Sequence, residues 1–326
     1  MPETEKIRVY YLASGDIGIP LLQALLKSER LALAGVASQF KMSKGPGPVR
    51  TVKSPVVRYC EENGIEIARF ASVNSEEFHD AFRRSGAELL IVASYGQILK
   101  PALLELPKFG CLNIHASLLP KYRGAAPIIA ALLNGDTRTG ISFMRMEAGL
   151  DTGPVYRVAE LEIKPNDTAE SLEKRLGTLA GEKIASVVED ITRHGLQPVP
   201  QAAEGASYAK KVCKDDCWVN WSRSNVYIAN MLRAYNPWPN VRTVLPLKNG
   251  KTKVTTITRA TPMPDDGDNE PGKILATGRD GILVACGKGA LLLERITPEG
   301  KKDMAAGDFY RGNPFPSDNP YISYLQ

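Results

Sequence analysis

The chain has 326 residues, 43% of them hydrophobic and 24% charged, with a formal net charge of +5. That length allows about two domains and a sizeable core, and so mild a positive charge permits a polyanionic partner without demanding one. Five cysteines argue against a paired disulfide framework and for a reducing cytoplasm, no apolar run is long enough to span a membrane, and the acidic start Met1 to Lys6 is neither a secretory signal nor a transit peptide.

Ile7 to Leu12, β-branched and aromatic, reads as a first strand. Gly15-Asp-Ile-Gly18 is an ordinary strand-to-helix turn, since a dinucleotide fingerprint needs three spaced glycines. A helix follows from Pro20, then a second strand from Leu31 to Ser38 and a helix over 55–63 behind Pro55. Ile65 to Ile67 is a short strand, Glu76 to Arg84 a helix, and Ala87 to Ala93 a strongly apolar strand. Pro101 to Pro107 makes a short helical turn into the apolar run Phe109 to Ile114. Beyond it come a helix from Pro127 to Leu133, a strand from Thr139 to Met146, a glycine-rich loop, and a strand from Val155 to Leu161. A long helix, capped by Asp167 or Thr168, runs to about Arg193.

Helices alternating with near-continuous apolar strands predict an α/β domain over residues 1–194, with a Rossmann-like parallel sheet covered on both faces. Residues 195–212, rich in Pro, Gln, Ala and Gly and without periodicity, read as a linker. In residues 213–326 an amphipathic helix from Asn225 to Ala234 precedes short β-rich runs separated by Gly and Pro, the spacing of a small OB-like β-barrel. The run Asp265 to Glu270 reads as a solvated acidic loop, and Cys213 and Cys217 are spaced too widely for the commonest zinc pair and have no second pair. Trp221 and Trp238 read as core, His79 and His194 as surface.

Asn113 and His115 stand at spacing i, i+2 and so share one face of the strand that ends at Ile114. Pro120, Gly124 and Pro127 punctuate the loop beyond. Asn offers a fixed amide donor, and His can donate, accept or shuttle a proton near neutral pH. Together at a strand end they suit a carbonyl oxygen that turns negative during acyl transfer. A hydrogen-bonded Asn and a satisfied core His are the plainer reading of those two residues alone. Asp151 sits in Ala148-Gly149-Leu150-Asp151-Thr152-Gly153, where glycines let the backbone approach a ligand, in a strand-end loop of the kind that binds substrates in parallel sheets. Near His115 it would favour the protonated ring and orient it. Ser117 lies outside any nucleophile-elbow pattern, so the attacking group comes from the substrate, an amine for example.

Asn113-Ile-His115-Ala-Ser-Leu-Leu-Pro-Lys-Tyr-Arg-Gly-Ala-Ala-Pro127, followed by Gly149-Leu-Asp151-Thr-Gly153, resembles the paired signatures of the folate-dependent formyltransferases. Trp221 with Arg233-Ala-Tyr-Asn-Pro-Trp-Pro239 is similar to the C-terminal domain of the members that act on methionyl-tRNA, and the resemblance runs from Val9 to about Lys302. It implies formyl transfer from 10-formyltetrahydrofolate to the α-amine of methionine on initiator tRNA, in translation initiation, by a cytoplasmic monomer without a metal. Asn113 and protonated His115 would hold the oxyanion, while Asp151 keeps the ring charged and helps move a proton. The implied folate site is Ser117, Leu118, Leu119 and Pro120, walled by Tyr95, Gly96, Ile98, Ala148 and Gly149; for Tyr95 and Ile98 core packing is the competing reading.

The resemblance also implies tRNA contacts from the basic loop through Lys41, Lys44, Arg50 and Lys53, and from Arg123. This loop departs from the family, with Pro46 between its glycines where Arg is usual, and Asn220 stands where the family has Asp. The alternative is a formyltransferase for a nucleotide-linked amino sugar. A formyl-folate hydrolase and a non-catalytic RNA-binding protein are further readings.

Overall fold

The computed structural model describes residues 5–42, 51–248, 250–265, 267–316 and 321–322. Its elements begin with β1 (Ile7–Ala13), α1 (Gly18–Lys27), β2 (Leu31–Ala37), a short pair β3 (Phe40–Met42) and β4 (Thr51–Lys53), α2 (Pro55–Glu62), α3 (Glu76–Ser85) and β5 (Leu89–Ala93). They continue with α4 (Pro101–Leu104), β6 (Cys111–His115), β7 (Arg123–Gly124), α5 (Pro127–Leu133), β8 (Arg138–Arg145), β9 (Val155–Glu162), α6 (Ala169–Thr192) and β10 (Tyr208–Ala209). The C-terminal part holds α7 (Asn225–Ala234), β11 (Val241–Pro246), β12 (Thr252–Met263), β13 (Ile274–Thr277), β14 (Ile282–Ala285), β15 (Ala290–Pro298), β16 (Met304–Ala305) and α8 (Ala306–Gly312).

Two compact units result. One comprises Met1–Pro127, Thr137–Ile163 and Ser171–Lys210; the other takes Ile128–Asp136, Lys164–Glu170 and Lys211–Gln326. In the first, a six-stranded sheet runs β2-β1-β5-β6-β8-β9. The expected parallel arrangement holds from β2 to β6, and the sheet then carries an antiparallel hairpin, β8 and β9, at its edge. β1 is buried everywhere but at Arg8, and β5 throughout, as strands covered on both faces must be. α2 opens on Ser54, whose hydroxyl accepts the Val57 N–H at 3.2 Å, with Pro55 as its first residue. α3 opens on Ser75 and ends at Gly86, whose φ of 64° needs glycine. Its Phe78 and Phe82, one turn apart, are buried, and Phe78 meets the Tyr10 ring edge-on at 5.5 Å.

Three local expectations change. The strand expected at Ile65 to Ile67 is reduced to a single bridge, Ala68 to Ala37. His79 is 4% exposed, because it follows Phe78 on the buried face of α3, whereas His194 is at the surface beside Asp190. The stretch expected as a linker is strapped to the first unit as far as Lys210. Val199 and Val155 exchange backbone hydrogen bonds of 2.8 Å in both directions, and β10 pairs with β7 in parallel.

In the second unit an antiparallel sheet runs β11-β12-β15-β14-β13, with β16 on β15. β12 serves β11 with its first half and β15 with its second, and register shifts at Ile257 to Ala260 let it bend between them, the device by which small curled sheets turn corners. Trp221 is fully buried, its indole N–H donating to Thr243 Oγ1 at 3.3 Å. Trp238, expected in the core, is 51% exposed. Its turn closes through Asn240, whose N–H reaches Tyr235 O and whose side-chain amide reaches Pro237 O, both at 2.9 Å, leaving the indole outside.

Candidate active site

β6 is where the sheet changes direction, parallel to β5 on one side and antiparallel to β8 on the other. Asn113 and His115 project from it on one face, as their spacing requires. β8 pairs Ser142 with His115 and Arg145 with Leu112, so it ends beside the beginning of β6. The rule that substrates gather at the ends of parallel strands therefore does not bring Asp151 to His115. A returning loop does. It leaves β8 with Met146 N–H on Cys111 O at 2.8 Å, is pinched shut by Arg145 N–H on Pro154 O at 2.9 Å, and comes back to set Asp151 against the middle of β6. Gly149 has φ 143° and Asp151 itself φ 53°, a left-handed conformation uncommon outside glycine, though Asp adopts it more readily than most residues.

The three side chains meet. The Asn113 amide donates to Asp151 Oδ1 at 3.2 Å, and the Gly124 N–H donates to Oδ2 at 2.8 Å. His115 Nδ1 stands 3.7 Å from the same Oδ2. His115 Nε2 lies 2.9 Å from Tyr122 O. A carbonyl only accepts, so Nε2 carries a proton and Nδ1 is the ring nitrogen turned towards the carboxylate. The side chains of His115 and Asp151 are 6% and 15% exposed, so the ring and the carboxylate face each other in a largely dry setting where electrostatic effects are strong. Cys111, two residues before Asn113, offers no competing nucleophile, because burial pushes its thiol up to about 12.

Around them the loop after β6 is knit to itself. Ser117 is buried, its hydroxyl donating to Lys121 O at 2.6 Å, and Ser142 Oγ bridges Ser117 O at 2.7 Å and the Leu119 N–H at 3.0 Å. Leu118, Leu119 and Pro120 are half-buried, while Ala148, Gly149 and Leu150 are exposed. Of the other expected walls, Tyr95 is a core residue, 3% exposed, with its phenol pushed up to about 12 by burial. Gly96 takes φ 82°, and Ile98 is 85% exposed, so core packing does not hold for it.

Of the expected tRNA contacts, Lys44 and Arg50 lie outside the described residues, as does the Lys41 side chain. Lys53 pairs with Glu61 at 2.6 Å. Arg123 directs Nε and Nη2 to Gln201 Oε1 at 3.0 and 2.9 Å. Gln201 is the residue that sequence reasoning passed over. Its Nε2 donates to Asp151 O at 2.8 Å and to Gly153 O at 2.7 Å, although nothing local in a Pro- and Ala-rich stretch signals it. Among the described residues no group of three or more His, Cys, Asp or Glu side chains could hold a metal ion, and no helix is long and apolar enough to cross a membrane.

A family model described as formyl transferase matches residues 6–188, and one described as formyl transferase, C-terminal domain, matches residues 211–314. The methionyl-tRNA formyltransferase of Geobacter sulfurreducens is 37% identical over 306 residues, 94% of each chain. That of Acetivibrio thermocellus is 35% identical over 308 residues, 94% of this chain and 97% of its own. A sugar 3N-formyl transferase solved in the presence of dTDP and 5-N-formyl-THF covers 92% of this chain and 100% of its own, at 18% identity and a TM-score of 0.60, a likeness of fold.

Proposed function

This chain belongs to the formyl transferase family, and from that premise we propose that it transfers the formyl group of 10-formyltetrahydrofolate to the α-amine of methionine esterified to initiator tRNA, serving translation initiation. The observation that carries the chemistry is the Asp151 carboxylate shared by the Asn113 amide and the Gly124 N–H, with the His115 ring beside it. Likeness along nearly the whole chain to relatives named for methionyl-tRNA favours that acceptor over a sugar.

The donor set suits a formyl oxygen. Asn113 has a second amide hydrogen beyond the one on Asp151, and His115 Nδ1 is the nitrogen at which a mobile proton can sit. As the neutral amine attacks the formyl carbon, these two groups hold the negative charge growing on its oxygen; one such donor is typically worth about 3 kcal/mol. Asp151 fixes the Asn113 amide, faces the ring, and helps carry the proton shed by the amine towards the folate nitrogen. The new carbon–nitrogen bond to methionine replaces the one to folate, and the proton ends on the departing nitrogen.

The folate site we assign to Ser117, Leu118, Leu119 and Pro120 with Gly96, Ile98, Ala148 and Gly149, where the exposed Ile98 supplies apolar surface and Tyr95 acts by carrying the turn. Lys41, Lys44, Arg50 and Lys53 are assigned to tRNA phosphates, which need only positive charge and reach. The enzyme works as a cytoplasmic monomer in this reading. It is tested by offering 10-formyltetrahydrofolate with charged initiator tRNA, an amino-sugar nucleotide, glycinamide ribonucleotide or water alone, and weighing the products. Formyl-methionyl-tRNA is expected. A formylated sugar nucleotide would replace the acceptor, and formate alone would make the chain a hydrolase.

A further inference from the structure

We propose that Gln201 is a positioning residue for formyl transfer: its side-chain amide locks the Asp151 loop onto β7, and Arg123 acts through Gln201 rather than on RNA. The role rests on the reading above for the reaction it serves, but the lock itself is read from geometry alone.

A glutamine amide has two acceptor sites and two donor hydrogens, and here all four are engaged. Oε1 receives Nε and Nη2 of Arg123, and Nε2 gives its hydrogens to Asp151 O and Gly153 O. The orientation of the amide is unambiguous, because a guanidinium only donates and a carbonyl only accepts. Gln201 is itself anchored, two residues beyond the reciprocal 2.8 Å pair of Val199 with Val155. Arg123 is anchored likewise, its backbone N–H on Ser207 O at 2.8 Å.

Asp151 is thereby gripped twice by one short strand. Its carboxylate takes the N–H of Gly124, and its own carbonyl is tied, through Gln201, to the guanidinium of Arg123. A residue held at φ 53° needs such a grip, since a non-glycine backbone in that region persists only where its surroundings over-determine it. The carbonyls of residues 151 and 153 flank Thr152, so one amide fixes the whole turn that aims the carboxylate at Asn113 and His115.

Three variants separate the possibilities, read by steady-state kinetics and by hydrogen exchange of the backbone amides of residues 149–153. Gln201→Met keeps the side-chain volume and removes every hydrogen bond. It should lower kcat by ~10–100-fold, the size expected when a reacting group is slightly misplaced, with KM for either substrate changed by no more than about threefold and exchange in the loop accelerated. Gln201→Glu retains an acceptor for Arg123 but sets a carboxylate against two carbonyls, and should do the same. Arg123→Met should lower kcat without raising KM for tRNA, and adding it to Gln201→Met should cost nothing more, because the two act as one unit.

Unchanged kcat and exchange in both Gln201 variants overturns the proposal, as does an Arg123→Met variant that raises KM for tRNA, spares kcat and adds in full to Gln201→Met. Should the parent protein formylate none of the acceptors, the acceptor reading fails while loop exchange still decides the lock. Gln201→Glu, nearly isosteric, keeps the test open if the Met variant does not fold.

Discussion

Two antiparallel hairpins in this molecule are built on opposite plans. The turn between β14 and β15, Cys286 to Gly289, closes on main chain: Cys286 N–H bonds Gly289 O at 2.9 Å, and Gly287 N–H bonds Trp221 O at 2.8 Å. The loop between β8 and β9 is fastened at its base and then held by side chains that arrive from elsewhere, the Gln201 amide on two of its carbonyls and the Asn113 amide on its carboxylate. The first turn satisfies its polar groups with main chain, its own and that of Trp221 and Asn225. The loop that must present one carboxylate at one angle leaves those groups for distant side chains, and its conformation is set by the site it completes.

The sharpest way to break this contrast is to alter the carboxylate. Asp151 accepts from Asn113 at one oxygen and from Gly124 at the other, so Asp151→Asn sets an N–H against one of those donors and removes the charge facing His115. We expect single-turnover formyl transfer to fall by ~10²–10⁴-fold, the usual range for a group that moves a proton in the transition state, with His115→Ala similar and the melting curve close to that of the parent. Near-normal turnover in either variant would take that residue out of the chemistry and leave the loop a structural hairpin like its counterpart.

Half of this site is legible in the sequence. Asn113 and His115 are visible as a pair because strand geometry has period two, and Asp151 is visible because glycines bracket it. The way Asp151 reaches them is not, since nothing local says that β8 runs antiparallel to β6 and that the loop must return. Gln201 is invisible for the same reason: its partners lie 50 and 48 residues away, in a stretch whose composition signals only irregular backbone. The fold divides similarly. The strongly apolar β1 and β5 are plain, whereas β11 follows Asn-Pro-Trp-Pro and becomes a strand only by pairing with β12.

A second comparison uses one methyl group in each hairpin. At Gly153 an added Cβ would fall 1.9 Å from Arg145 O, a main-chain atom at the base of the active-site loop, and cannot be accommodated without moving that loop. At Gly289, φ 72°, it would meet the Asn225 side-chain amide at 2.4 Å, whose bond to Ala290 O would then loosen. Gly153→Ala should lower kcat by about tenfold or more through displacement of Asp151. Gly289→Ala should cost about 1–3 kcal/mol of stability, the strain of a side chain in the left-handed region, and leave kcat within about twofold. Melting temperature and kcat measured on the same preparations check both, and equal losses of kcat would erase the distinction between the hairpins.

The smallest effect isolates acid stability in the C-terminal sheet from the chemistry in the other unit. Asp303 accepts Thr258 Oγ1 at 2.6 Å and Arg295 Nε at 2.8 Å, and these bonds, the Thr258 hydroxyl first, hold its carboxyl below the usual carboxylate range. A depressed carboxyl binds fewer protons folded than unfolded. Its contribution is therefore complete above the unfolded value, near pH ~4, and drains away as pH falls through the lower folded one. The group is solvent-exposed, so the contribution is that of a surface pair, about 0.5 kcal/mol, and salt screens it further. Asp303→Asn should accordingly flatten the acid limb of the stability curve slightly and leave the pH profile of kcat untouched. A shifted kcat profile would mean that the β-sheet unit and the Asp151 loop are coupled, and the contrast between a hairpin that only folds and one that reacts would no longer be local to each.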